Sequence, residues 1–461
     1  MNIEDINLGD PPTGAGGDTM RTAFGKTNQN FGAAKQALED EVQTREQLLA
    51  TQRDQLIALI ESVNGPLPSL RADFKARSFG SKNAAGLFLP CDYSDLFTLS
   101  APSPKWVWNA QGQLVEVPAG QPAWDHDPIT GEPLGQVLRD EETNYAFPWA
   151  IRGGGTDGRA TTELVQEKNP FNLNEVLKVS QSVDDPNFYV YRNGVEARIG
   201  DNTFTFAVKC GSGVKAIGAE TSGSQPLYFR YDIDTGLITN RADNSVKLKN
   251  LKDGFIQFSV TAFNYQYTAE LISVVAEPRE GSGGTADAYF FTAAWNYNHS
   301  ATFGGHIITN ESAVHRAADV ASAEDSFLDN FDSSQGWLFI EYDLDSDGFA
   351  LQLETEGATN NYNSFYIESS SITLFDHDSV ALRSQGDYAG RHKVLLLWKS
   401  GIISAYADGG LLFSGEYAVP QWVRALFFRR TNGATPGNGY LIDFRMGDVI
   451  SHEDAIARTT L

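Results

Sequence analysis

The sequence has little cysteine and little positive charge. Its 461 residues include two cysteines, Cys91 and Cys210, and their separation fits neither a metal-binding nor a redox pair, so we expect free buried thiols. There are 35 basic and 59 acidic residues, which gives a formal net charge of −24. This charge opposes binding to nucleic acid or to an anionic membrane. It would also repel an anionic glycan, unless local basic residues or a bridging divalent cation bind that glycan.

Targeting and catalytic motifs are also missing. The start, MNIEDINLGD, has no positive n-region and no apolar h-region, and no window approaches the length of a membrane span. We therefore predict a soluble chain without membrane insertion and without secretion through a signal peptide. No Gly-x-Ser-x-Gly elbow, paired-histidine zinc helix, phosphate loop or long β-helix repeat occurs. The prediction is a protein that is not an enzyme and needs no cofactor, although its many carboxylates leave glycan hydrolysis as an alternative.

The residues that are abundant favour β structure. Hydrophobic residues make up 41% and aromatic residues 11% of the chain, and there are 43 glycines. This composition is typical of turn-rich β domains with aromatic surface. The length predicts two or three globular units with a fibrous part.

Near the N-terminus, two seven-residue series predict one long helix. Asp18 or Thr19 is the expected N-cap, and the helix should end near Asn64, before NGPLP. Polar seam residues such as Asn28 and Lys35 cost stability but specify register and oligomer state. We predict a parallel coiled-coil homotrimer; a single amphipathic helix packed on a globular domain is the alternative. The predicted trimer core consists of Phe24, Phe31, Leu38, Val42, Leu49, Leu56, Leu59 and Val63.

From Ser78 onward, short alternating segments replace the helical period. KWVWNAQGQLVEV and PAWDHDPITGEPLGQVLRD predict hairpins with the turns NAQG and DPITG. Further strands follow at the spacing of an all-β sandwich, and after a predicted linker, ESAVHRAADVASAEDS, a second set follows. The sequence therefore predicts two antiparallel sandwiches.

Two acidic motifs are candidates for chemistry. DLDSDGFALQLE has the acidic spacing of an EF-hand loop, from Asp343, Asp345 and Asp347 to Glu354, but strands rather than helices flank it. We favour a solvated hairpin tip, with a calcium site as the alternative. In the second motif, Asp125–His126–Asp127, Asp before Pro and Gly four residues on favour a structural Asx turn over a catalytic cluster.

Two aromatic-amide clusters are candidates for sugar binding. A sugar needs a flat aromatic face for the apolar side of its ring, surrounded by amides and carboxylates for its hydroxyls. Such clusters also occur in ordinary loops and cores. The candidates from AAWNYNHS and TNNYNSFY are Trp295, Asn296, Tyr297, Asn298, Asn361, Tyr362 and Tyr366.

Four stretches together resemble the tail-fibre or receptor-binding proteins of tailed bacteriophages. NLGDPPTGAGGDTMRTAFGKTNQNF is similar to the N-terminal segment of many of them, and WDHDPITGEPLGQVLRDEETNYAF resembles their hairpin, with its Asp-Pro-x-Thr-Gly turn at 127–131 and the pair Thr143 and Asn144. YFRYDIDTGLITN, GFIQFSVTA and the stretch His315 to Asp319 resemble a carbohydrate-binding-module-like sandwich. HKVLLLWKSGIISAYADGGLL and ISHEDAIART resemble the strands and closing turn of a concanavalin A-like, laminin G-like sandwich.

The resemblance implies a mainly β protein with a helical stalk and two jelly-roll sandwiches. The expected parts are a virion-attachment segment at 1–18, a trimeric coiled-coil stalk at 19–64, a hairpin-rich collar at 65–155, a carbohydrate-binding-module-like sandwich at 156–313 and a concanavalin A-like sandwich at 314–461.

The implied function is adsorption of a virion to its host. The expected partners are other tail proteins, bound through residues 1–30, and a host surface glycan or outer-membrane receptor. The chain would be made in the host cytoplasm and reside in the phage tail. Three copies would raise the effective affinity by avidity. The alternatives are an adaptor or short fibre that docks another virion protein, and a glycan-degrading tailspike.

Overall fold

The computed structural model divides the chain into two compact units, Met1–Leu67 and Pro68–Leu461. The structure describes residues 18–64, 68–82, 88–146, 156, 158–183, 187–196, 200–211, 213–221, 228–240, 245–264, 269–279, 288–299, 305–309, 312–323, 327, 331–345, 348–356, 363–377, 379–429, 437–448 and 450–460. The predicted attachment segment lies, up to residue 17, outside the described residues.

The first unit contains one long helix, α1 (Met20–Asn64). Thr19 caps it, because its hydroxyl accepts a hydrogen bond from the backbone N–H of Thr22 at 3.3 Å. The predicted helix and its end at Asn64 are confirmed, whereas the coiled coil stays a prediction. None of the helices in the described part of the chain is both long and apolar enough to cross a membrane.

The predicted seam of α1 is exposed on the single chain. Phe24, Phe31, Leu38 and Leu49 are 63%, 72%, 63% and 64% exposed, and Val42 is 47% exposed. Exposed apolar side chains in a row along one helix need a partner surface to remove them from water. The side chains of Leu56, Leu59 and Val63, which belong to the same predicted seam, lie outside the described ones.

The second unit is mainly β, as predicted. Its first nine strands are β1 (Leu70–Asp73), β2 (Ser78–Lys82), β3 (Phe88–Cys91), β4 (Thr98–Ser100), β5 (Lys105–Trp108), β6 (Leu114–Val117), β7 (Trp124–His126), β8 (Pro133–Leu138) and β9 (Glu142–Asn144). The next eleven are β10 (Ala160–Val165), β11 (Val176–Gln181), β12 (Phe188–Glu196), β13 (Gly200–Cys210), β14 (Val214–Thr221), β15 (Tyr228–Asp232), β16 (Ile238–Asn240), β17 (Ser245–Asn250), β18 (Ile256–Asn264), β19 (Ala269–Pro278) and β20 (Tyr289–Asn298).

Twelve further strands follow in the described part of the unit: β21 (Val314–Arg316), β22 (Val320–Ala323), β23 (Gln335–Leu344), β24 (Phe349–Thr355), β25 (Phe365–Glu368), β26 (Ser371–Asp376), β27 (Ser379–Gln385), β28 (Gly390–Lys399), β29 (Ile402–Ala407), β30 (Gly410–Glu416), β31 (Trp422–Phe427) and β32 (Gly439–Gly447). The described residues also include the helix α2 (Tyr93–Leu96), a 3₁₀ turn (Lys252–Gly254) and the helix α3 (His452–Thr459). ISHEDAIART, expected as a closing turn, forms α3, because Ser451 and Asp454 make a capping box.

The first sandwich packs two open antiparallel sheets on one apolar core. The six-stranded sheet has the order β10-β11-β20-β13-β18-β17, and the five-stranded sheet has the order β12-β19-β14-β15-β16. Phe204, Phe206, Phe258 and Trp295 fill the core between them. Buried aromatic residues of this size supply most of the apolar area that holds such a sandwich together.

The second sandwich recruits strands from the segment expected to be a separate collar. Strands β1 and β8 both pair with β32, and β4 pairs with β22 in the seven-stranded sheet. Leu70 lies opposite Met446, and Ala72 lies opposite Phe444, and all four side chains are buried. The limits predicted for the domains stay a prediction, but this pairing ties residues about 375 positions apart in the chain into one sheet, which local sequence patterns do not reveal.

The remaining short strands link the parts. The hairpin β5–β6 and the hairpin β7–β8 form as predicted. The stretch predicted as a linker instead supplies β21, which pairs with β9, and β22. Gly131 ends the DPITG turn with φ +75°, and a Cβ there would lie 2.3 Å from the carbonyl oxygen of Ala110 in the NAQG turn. The two turns therefore pack directly against each other.

Candidate functional site

The first predicted sugar-binding cluster lies inside the first sandwich. Trp295, Asn296, Tyr297 and Asn298 are at most 1% exposed, because β20 runs between β11 and β13 in the six-stranded sheet. The Trp295 indole N–H donates to the Thr292 hydroxyl at 2.8 Å. Buried aromatic rings cannot stack on a ligand, so the prediction for these four residues is wrong.

In the second predicted cluster, Tyr366 does not lie on the surface. Tyr366 is 3% exposed and packs edge-on against Phe349, with ring centroids 5.5 Å apart. Its ring is therefore part of the core. Asn361 and Tyr362 lie outside the described residues.

The acidic motif after β23 does not form an ion-binding loop among the described residues. Asp345 Oδ2 pairs with the Arg139 guanidinium at 3.0 Å, and Glu354 is buried on β24, where it pairs with Arg424 at 2.5 Å. Burial raises the pKa of Asp343 above its usual value, and Asp345 raises it further. Asp347 lies outside the described residues. In the described ranges, no group of three or more His, Cys, Asp or Glu residues is arranged to hold a metal ion.

Asp127 forms the predicted Asx turn. Its carboxylate accepts hydrogen bonds from the backbone N–H groups of Ile129 and Thr130, at 2.9 and 2.8 Å. Burial raises the pKa of Asp127, but these donors outweigh it, so the pKa lies below its usual value. His126 contacts the carbonyl oxygen of Trp108 through Nδ1 at 2.9 Å. These residues build the turn and its neighbouring strand, as predicted.

A cleft that the sequence did not indicate lies where the two sandwiches meet the hairpins. We call it the junction cleft. Its volume is about 290 Å³, close to the lower end of the range for small-molecule sites. It is lined by Trp106, Trp108, Asp125, Arg139, Lys247, Leu248, Lys249, Gln257, Ser259, Gly305, His306, Asp345 and Tyr440.

Three parts of the fold supply these residues. Trp106 and Trp108 lie two positions apart on β5, so both point to the same side of that strand. Lys247 and Lys249 have the same relation on β17 of the first sandwich, and Tyr440 comes from β32 of the second. The cleft therefore exists only when the hairpins and both sandwiches are assembled.

Asp125 holds two of the aromatic residues in place. Its Oδ1 accepts a hydrogen bond from the backbone N–H of Trp108 at 2.6 Å, and its Oδ2 accepts one from the Tyr440 hydroxyl at 2.8 Å. Burial raises the pKa of Tyr440 well above its usual range, and the Asp125 carboxylate raises it further. The Tyr440 hydroxyl therefore keeps its proton and donates a hydrogen bond to Asp125.

Arg139 forms the charged wall of the cleft. Besides its ion pair with Asp345, its guanidinium carbon lies 5.5 Å from the centre of the Tyr440 ring, within the distance of a cation–π contact. Burial lowers the pKa of Arg139, but Tyr440, Asp345 and Asp125 raise it by more. Arg139 is therefore a permanent cation with a defined orientation.

His306 forms the neutral back wall. It is 4% exposed, and its Nε2 lies 3.2 Å from Gln257 Oε1. Burial lowers the pKa of His306 to about 3, and the charges of Lys249 and Arg139 contribute to the decrease. The imidazole is therefore neutral at physiological pH.

The cleft combines flat aromatic rings with hydrogen-bonding groups at its rim. Trp106 is half-buried, and the side chain of Lys247 is exposed. Such a surface suits a small, ring-shaped polar molecule that has one apolar face. The alternation Lys-Trp-Val-Trp in β5 is the sequence feature that could have indicated the cleft, since it puts both tryptophans on one face of the strand. The cleft residues from β17 and β32 are far away in the chain, and no local pattern indicates that they lie near β5.

The comparisons found no matching family model and no match among curated proteins. Among solved structures, the chain is similar to a carbohydrate-binding module of a Ruminococcus gnavus sialidase bound to α2,3-sialyllactose, with 15% identity over 27% of this chain and 83% of that chain, at a TM-score of 0.24. It is also similar to a xylan-binding domain of Xyn10C from Paenibacillus barcinonensis, with 11% identity over 36% and 98% of the two chains, at a TM-score of 0.23. A third similar structure is the mouse laminin α1 chain, domains LG4-5, with 10% identity over 65% and 91%, at a TM-score of 0.19.

Proposed function

We propose that this chain binds a carbohydrate in the junction cleft. The observation that carries the proposal is the pair of half-buried aromatic residues Trp106 and Tyr440, next to charged and amide groups in one partly open cavity. An aromatic ring can cover the apolar face of a sugar, while Arg139 and Lys247 donate to its hydroxyls. The volume, about 290 Å³, suits one or two sugar units of a longer glycan better than a large ligand.

The proposed activity is reversible binding without hydrolysis. Glycoside hydrolysis needs two carboxylates placed for an acid and a base or nucleophile. Both carboxylates of the cleft already have structural partners: Asp125 binds Trp108 and Tyr440, and Asp345 binds Arg139. These contacts support a binding site, because a carboxylate that holds other side chains in place is poorly suited to exchange protons with a substrate.

We further propose that the chain serves as a tail fibre of a bacteriophage, located in the virion and adsorbing to a host surface glycan. The support is the resemblance of its sequence motifs, together with the exposed row that includes Phe24 and Phe31 on α1. That row would be covered in a homotrimer. Residues 1–30 would attach the fibre to the tail, and three clefts per trimer would raise the effective affinity.

The experiment compares binding of the purified full chain to an array of bacterial surface polysaccharides. Trp106→Ala should weaken binding roughly tenfold or more, because the stacking surface is lost. Trp106→Leu, which keeps apolar volume for packing, should weaken it similarly. Tyr191→Ala serves as the control, since Tyr191 is a partly exposed aromatic residue on β12, outside the cleft. Unchanged binding by both Trp106 variants would refute the site, and binding only to another tail protein would favour an adaptor.

A further inference from the structure

The charge of the junction cleft is opposite to that of the chain. The whole protein carries a formal net charge of −24. The charged residues that line the cleft comprise three cations, Arg139, Lys247 and Lys249, and two carboxylates, Asp125 and Asp345. A local positive excess within an acidic protein must act at short range, since at physiological ionic strength a charge is screened beyond about 8 Å.

Both carboxylates of the cleft have partners within its wall. Asp125 accepts from Trp108 and Tyr440. Asp345 is paired with the Arg139 guanidinium at 3.0 Å, and its backbone carbonyl accepts from Lys247 Nζ at 3.4 Å. The two carboxylates therefore hold the side chains of the cleft wall in place, and these contacts partly neutralise their negative charges.

Lys249 is the cation without such a partner. Within the described ranges, its ammonium group forms no ion pair or hydrogen bond, and the residue is half-buried at the cleft. The positive charge of Lys249 contributes to lowering the pKa values of two nearby groups, Asp127 and His306. The Asp127 carboxylate already accepts backbone hydrogen bonds in its turn.

The position of Lys249 argues against a purely protective role. β17 is an edge strand of its sheet, and lysines on edge strands often prevent pairing with other chains. The exposed Lys247 fits that role. Lys249 instead lines the cavity beside the neutral, buried His306, where its ammonium group can donate a charge-assisted hydrogen bond to an anionic ligand.

We infer that the junction cleft binds an anionic sugar, whose carboxylate or sulfate group accepts a charge-assisted hydrogen bond from Lys249 while its ring covers Trp106. This inference rests on the proposed carbohydrate binding and deepens it by giving the ligand class. The net negative charge of the chain would repel such a glycan, so we expect slow association and a requirement for close contact.

The test uses the full chain and pairs of matched probes. The carboxylate arm has oligoglucuronate, oligogalacturonate and oligosialate, each compared with its carboxyl-reduced neutral form; the sulfate arm has a sulfated oligosaccharide and its desulfated form. Calorimetry at low and high salt should give at least about tenfold tighter binding of an acidic member than of its neutral form. That preference should decrease with added salt. Whichever arm shows it identifies the anionic group.

The variants separate this inference from the proposed function. Lys249→Met should remove most of the preference for the acidic probe over its neutral form. Lys399→Met, which removes an exposed lysine on β28 outside the cleft, should leave that preference unchanged. Equal binding of acidic and neutral probes that Trp106→Ala weakens would overturn the anionic preference but keep the carbohydrate site. Absence of binding by every probe would also overturn the inference.

Discussion

The buried ion pair behind the cleft allows a quantitative test of how the junction is held together. Lys105 Nζ lies 3.1 Å from Asp319 Oδ2, and the two side chains are 2% and 1% exposed. The same carboxylate oxygen accepts a hydrogen bond from the backbone N–H of Arg139 at 2.9 Å. Asp319 therefore connects β5, which carries Trp106, with the residue that follows β8.

Removing one partner should cost far more than removing both. Burial lowers the pKa of Lys105, whereas Asp319 partly restores it, so the pair balances desolvation against attraction. Lys105→Met leaves a buried carboxylate without its counter-charge, and we expect a loss of about 3–5 kcal/mol in the free energy of unfolding. Lys105→Met combined with Asp319→Asn removes both charges of the pair and keeps a side-chain oxygen that accepts from the backbone N–H of Arg139. We therefore expect the free energy of unfolding of the double variant to fall by only about 1–2 kcal/mol.

Urea denaturation followed by tryptophan fluorescence measures this without interference from α1. The first tryptophan of the chain is Trp106, so the signal reports unfolding of the second unit only. Lys168→Met is the matched control, because Lys168 forms an ion pair with Asp253 at 2.7 Å while its own side chain is 84% exposed. That substitution should cost less than about 1 kcal/mol.

The double-variant cycle decides between a coupled pair and two independent residues. Coupling predicts that the double variant is more stable than Lys105→Met alone. If the stability losses of Lys105→Met and of Asp319→Asn, each measured alone, add up to the loss of the double variant, the two residues act independently. In that case, or if Lys105→Met costs no more than the control, the junction does not depend on this pair and the reasoning is wrong.

Two further predictions concern pH and assembly. Burial raises the pKa of Asp443 to about 6 from its usual 3.8, so the folded chain holds its proton longer than the unfolded chain, and stability should fall by roughly 3 kcal/mol as the pH rises from about 4 to about 6. Asp443→Asn should flatten that slope in urea titrations, and an unchanged slope would contradict the assignment. Deletion of residues 1–30 should leave a folded chain that sediments as a trimer but no longer joins virus particles. Normal incorporation into particles would disprove the attachment role. Sedimentation as anything other than three chains would disprove the trimeric stalk.

Features that depend on neighbours in the chain were predictable. The seven-residue series gave the long helix, with Thr19 as its cap, because helical contacts join residues three or four positions apart. The turns at Asn109–Gly112 and Asp127–Gly131 were predictable for the same reason, since a carboxylate or amide binds the backbone within its own turn. The mainly β class followed from alternation and composition.

Only the tertiary structure decided which aromatic residues are available to a ligand. Trp295 and Tyr297 belong to a cluster that looks like a sugar platform in sequence, yet the neighbouring strands and the facing sheet bury both. Trp106, which the sequence predicted only as part of a hairpin, lines the cleft. Its surroundings come from β17 and β32, which follow it by more than a hundred and more than three hundred residues. The sequence thus determined the local elements, whereas burial and the cleft arise from non-local pairing, which depends on the folded arrangement of the whole chain.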